Sequence, residues 1–150
     1  TIAIAVGVLL TGCEIGPDRN APISIKRDGE SLVVAICEDL DATRVAMEER
    51  GLSFGDRWSN FWEGDGRVQL KVGDVFSTSV DGITMFVGER RSNPAMNPDS
   101  EIYVVIDYAG GEDSIHRAAF RLGTDGLSET YWLNADGSET AEPCTADHSP

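Results

Sequence analysis

The chain has little of what most site chemistry is built from. Of its 150 residues two are histidine (His116 and His148), two are lysine (Lys26 and Lys71) and three are cysteine (Cys13, Cys37 and Cys144). Nucleophilic catalysis by Ser or Cys needs a base and a third group that orients the base. His148 lies in the terminal tail, and His116 falls on the apolar face of a predicted strand, where a core or edge histidine is the expectation. No Gly-x-Ser-x-Gly elbow is present, and no pair of His or Cys stands at zinc-ligand spacing. The apolar run from Ile2 to Leu10 falls well short of the ~20 residues a helix needs to cross a bilayer.

Acid is what the chain has in excess. Twenty-six Asp and Glu against twelve Lys and Arg give a formal charge of −14. Such a surface opposes nucleic acid and anionic lipid head groups, so no nucleic-acid partner is expected. Acidic clusters such as Glu38-Asp39-Leu40-Asp41 could offer oxygens to calcium, yet none follows EF-hand spacing. With so many carboxylates, clusters arise without purpose, and we expect neither a metal nor a cofactor. The hydrophobic fraction of 41%, with three Trp, is enough to fold a domain with its own core.

Residues 1–13, TIAIAVGVLLTGC, are a short apolar run ending in Leu10-Thr11-Gly12-Cys13 and passing straight into polar sequence. This resembles the lipobox of bacterial lipoproteins, in which a small-residue pair precedes a cysteine that becomes the new N-terminus. The resemblance implies cleavage after residue 12 and a thioether-linked diacylglycerol on Cys13. It thereby implies partnership with the membrane through that lipid, at the extracytoplasmic face of the cell membrane. No Met and no basic segment precede the run, so the chain is read as starting inside its own signal. Residues 13–22, with two prolines and little apolar content, read as a lipid-anchored tether. The domain is expected over 23–144, with a tail over 145–150.

Assigning Cys13 to lipid leaves Cys37 and Cys144, in a compartment where disulfides persist. The alternative is two separate thiols, which on an exported protein are open to oxidation, and this favours the bridge. Closing the loop of about 100 residues between them is worth at most ~4–5 kcal/mol.

Along the domain, period-2 alternation and turn signals predominate. Ile23 to Lys26 alternates, Asp28-Gly29 turns, and Ser31 to Cys37 is apolar on both faces, as a strand within a sheet would be. Asp41 to Gly51 reads as a helix capped by Asp41, or as a strand with Val45 and Met47 inward and Arg44, Ala46 and Glu48 outward. Its few apolar positions and its strand neighbours favour the strand. Arg67 to Val72 alternates cleanly, and Val75 to Val80 and Ile83 to Val87 flank Asp81-Gly82, a hairpin signal. Ser92 to Ser100, with two prolines, reads as a loop; Glu101 to Tyr108 is a core strand, and Gly110-Gly111 turns into Ser114 to Leu122. Tyr131-Trp132-Leu133 closes the series.

These patterns predict an all-β domain, an immunoglobulin-like β-sandwich of about eight strands. Leu70-Lys71-Val72-Gly73-Asp74 resembles a turn of bacterial immunoglobulin-like modules, although the spacing of Cys37 and Cys144 is not that of antibody domains. The chain as a whole resembles the small lipoproteins of unknown function common in actinobacteria, through its lipobox, its size and a Cys after the second strand.

One local anomaly stands out. Trp58, Phe61 and Trp62 fall within five residues, among Arg57, Ser59, Asn60 and Glu63 and beside Gly55, Gly64 and Gly66. Exposed, they would be a stacking platform for a sugar ring or a hot spot for a protein; buried, they would cap the end of the sandwich. The expectation is a non-catalytic domain that binds or scaffolds an envelope protein or polysaccharide. The alternative is a small envelope-polysaccharide hydrolase using paired carboxylates, which can come from anywhere in a sequence.

Overall fold

The computed structural model describes residues 23–53, 55–78, 86–90, 92–109 and 115–145. The lipobox with Cys13, the tether over 13–22, the Asp81-Gly82 and Gly110-Gly111 turns and residues 146–150 lie outside the described residues. What is described is all β, with no helix among these residues. Ten strands run in order: β1 (Ile23–Asp28), β2 (Ser31–Ile36), β3 (Leu40–Gly51), β4 (Ser59–Leu70), β5 (Val75–Ser77), β6 (Val87–Arg90), β7 (Ser100–Tyr108), β8 (Ile115–Arg121), β9 (Trp132–Asn134) and β10 (Glu139–Thr140). They form two antiparallel five-stranded sheets, ordered β10-β9-β1-β2-β5 and β6-β4-β3-β7-β8.

Each sheet is built from the alternation that sequence shows. In β7, Ile102, Val104 and Ile106 face the core, and in β8 Ala118 and Phe120 join them. The unbroken apolar run of β2 is covered on both sides. Leu32, Val34 and Ile36 enter the core between the sheets, while Val33 and Ala35 pack under Trp132 on the outer face. The Lys26 ammonium sits 4.7 Å from the centre of that indole and closes the patch.

The ambiguous segment 41–51 is strand, in the middle of the second sheet between β4 and β7. Val45 and Met47 are inward as expected; Ala46, expected outward, is also buried. Two expectations fail. β5 and β6, the described strands on either side of Asp81-Gly82, do not pair with each other: β5 pairs with β2 and β6 with β4, in opposite sheets. Val72 does not join Leu70 in the core either: β4 ends at Leu70, alternation stops with it, and Val72 turns out to solvent.

The register fixes two poles. Ile23 pairs with Ile36, and Leu40 with Leu70, at one pole; Asp28 pairs with Ser31, and Gly51 with Ser100, at the other. At the first pole Cys37 and Cys144 form the expected disulfide, with Cα atoms 5.2 Å apart. The Cys144 N–H donates to Ser24 Oγ (3.0 Å), and Ser24 Oγ donates to Asn134 Oδ1 (2.6 Å). Asn134 Nδ2 in turn donates to Thr140 Oγ1 (2.9 Å), so one chain of hydrogen bonds, centred on buried Ser24 and Asn134, ties β1, β9, β10 and the C-terminal segment together.

Candidate functional site

The three aromatics of 58–62 do not form one platform. Phe61 and Trp62 are buried, and Trp58 alone is exposed, at 38%. The cause is a register shift: Met47 faces Trp62 while Glu48 faces Asn60, leaving Phe61 as an extra residue in β4. Such a bulge breaks the alternation, and both neighbours enter the core. Gly64 lies in β4 opposite Gly88 of β6. A Cβ on Gly64 would fall 2.5 Å, and one on Gly88 2.8 Å, from the Trp62 indole, so both glycines make room for that ring.

Trp58 precedes β4 on the outer face of the second sheet. Its ring has the Arg50 guanidinium over it at 4.5 Å and Tyr103 at 5.3 Å between centroids. Arg50 is held by Glu101 (2.9 Å), its cross-strand neighbour on β7. The aromatic shelf therefore stands on a paired cation and is held in place. Farther along that face Arg44 bridges Glu63 and Asp107, and the hydrogen bond it donates to the Glu63 carboxylate holds its pKa above the ordinary guanidinium value. These charges satisfy one another and offer a ligand little.

Next to the shelf, at the same pole, a cleft of about 390 Å³ opens between the end of β3, the residues Leu52, Ser53, Arg57 and Ser59, and the loop 95–100. Arg50 belongs to both, lining the cleft and covering Trp58. The loop is firmly held. Glu49 accepts the N–H groups of Ala95 (2.8 Å) and Met96 (3.3 Å), Leu52 N–H donates to Asp99 O (3.0 Å), and Ser100 Oγ donates to Asn97 O (2.7 Å). Met96 is buried, and Met96 and Asp99 both take left-handed backbone angles (φ 47° and 54°). For a Met this is uncommon, and the surrounding contacts must maintain it.

What the cleft presents is unspent polarity. Glu49 and Arg50 are engaged, but the side chains of Arg57, Asn97 and Asp99 are exposed and make no hydrogen bond or ion pair with a described residue. Arg57 was visible as a neighbour of the aromatics. Asn97 and Asp99 had no signal beyond their place in a Pro-rich loop, since only the fold brings that loop to the end of β3. Among the described residues no group of three His, Cys, Asp or Glu is arranged to hold a metal ion. Compared with protein families, curated proteins and solved structures, the chain finds no significant match.

Proposed function

We propose that this is a lipid-anchored, non-catalytic binding domain of the bacterial envelope, held to the extracytoplasmic face of the membrane through Cys13 and recognising its ligand at the pole that carries Trp58. The lipobox motif supports the anchor, and the Cys37–Cys144 bridge suits an oxidising compartment. The observation that carries the binding role is the half-open ring of Trp58, fixed on Arg50 and Tyr103 instead of being buried. An aromatic immobilised before binding gives up little entropy on contact. The frame in this reading is immunoglobulin-like. Neighbours β1-β2-β5 correspond to A-B-E and β8-β7-β3-β4 to G-F-C-C′. It departs from that pattern where β6 follows β5 in the chain and where β9 and β10 extend the first sheet.

Expressed behind a complete signal, the protein incorporates labelled fatty acid and Cys13→Ala does not; labelling of the variant would end the anchor reading. The purified lipoprotein retains isolated envelope fragments, and Trp58→Ala weakens retention about thirtyfold, the usual loss of one hot-spot aromatic. Equal retention by both would remove Trp58 from the site. Release of soluble sugar from the fragments would move the protein to the hydrolases that use paired carboxylates.

A further inference from the structure

We infer that the cleft beside Trp58 is a site for a neutral saccharide whose hydroxyls are taken by Arg57, Asn97 and Asp99, an inference that rests on the envelope-binding reading and names its ligand. The first ground is the state of the polar groups. The open charged or amide side chains are one cation, one anion and one amide, so their formal charge cancels. Arg offers only donors, Asp only acceptors and Asn both, while each sugar hydroxyl donates once and accepts twice. Neighbouring hydroxyls on a pyranose ring match these forked side chains, and a ligand of one charge leaves either Arg57 or Asp99 facing its own sign.

The second ground is preorganisation. Asn97 and Asp99 lie on a loop tied down through Glu49, Leu52 and Ser100, and the left-handed Met96 is kept there against its preference. Little order remains to be lost when a ligand arrives. The volume falls within the ~300–1,000 Å³ usual for small-ligand sites.

The third ground is position and field. β3 runs twelve residues from the pole of Ile23 to the cleft, roughly 35–40 Å at strand rise. A tether joined at Ile23 thus attaches at the end of the domain opposite the cleft and leaves the cleft uncovered. With a net charge of −14 a polyanion is repelled at range, and one unpaired arginine does not offset that. A neutral glycan is not penalised, and a chain longer than the cleft continues past Arg50 onto Trp58.

The purified lipoprotein in detergent, titrated calorimetrically with cellotetraose, maltotetraose, mannotetraose and chitotetraose, is expected to give saturable heat with at least one. Arg57→Ala and Asn97→Ala each weaken it about tenfold, the worth of one or two hydrogen bonds, at unchanged thermal midpoint. Tetragalacturonate, the acidic counterpart, binds more weakly. No saturation with any neutral tetrasaccharide, tighter binding of the galacturonate, or indifference to both variants overturns the inference. Envelope fragments held through Trp58 while the cleft variants change nothing would overturn it and leave the binding reading standing. A tetrasaccharide bound in the cleft without retention of envelope fragments would sink the envelope reading alone.

Discussion

The two poles of the sandwich are finished in different ways. Where β1 begins, polar groups are paired and covalently stapled: Ser24, Asn134 and Thr140 satisfy one another under the Cys37–Cys144 bridge. Where β3 ends, the backbone is equally well tied, but Arg57, Asn97 and Asp99 are left open around a cleft. The first pole spends its polarity on stability, and the second holds it for something else. Rigidity is common to both, so openness at the cleft pole is not a matter of looseness.

The contrast can be tested from its strongest effect downward. Within the second pole, Phe61→Ala should cost about 3–5 kcal/mol in denaturant unfolding, because its ring is in the core. Trp58→Ala, three positions earlier in the chain, should cost only about 1 kcal/mol, the value of its contacts with Tyr103 and Arg50. Similar losses from both would make Trp58 core and dissolve the shelf. At the first pole, Cys144→Ser should lose ~2–5 kcal/mol, and non-reducing mass spectrometry of the native protein should find Cys37 joined to Cys144. Freely alkylated thiols would refute the staple.

Arg57→Ala and Asn97→Ala should shift unfolding by no more than about 0.5 kcal/mol, since neither side chain holds anything in place. A large loss from either would mean that the cleft is structural. The smallest effect concerns Asp39, which joins β2 to β3 at the first pole. Its carboxylate accepts Val72 N–H (2.9 Å) and Lys71 Nζ (3.0 Å), which together hold its pKa below 3.8. A lowered carboxylate favours the fold at pH above its unfolded value and loses that contribution as acid protonates it. Asp39→Asn should therefore flatten the fall in the unfolding midpoint below about pH 4 and leave no pH-dependent difference above pH 5.

Most of the strand inventory was legible because period-2 alternation reports a sheet with one buried face. β1, β2, β7 and β8 lie close to where the apolar pattern sets them, and 41–51 is strand as its sparse apolar positions suggested. The Cys37–Cys144 pairing followed from the compartment the lipobox implies and from number, and the fold brings those residues together across a separation of 107. Short edge pieces such as β10, two polar residues, carry no pattern to read.

Composition and periodicity by themselves determined that this chain is acidic, all β and layered, because burial of alternating apolar residues leaves few other solutions. They could not tell that Phe61 and Trp62 go inside, since that depends on one unpaired residue in the register with β3. Nor could they tell that the strands flanking Asp81-Gly82 part to opposite sheets, because a turn signal is local and sheet membership is not. The cleft belongs wholly to tertiary structure. Arg57 and Asp99 are more than forty positions apart in the chain, and the pairing of the end of β3 with the start of β7 sets their loops side by side.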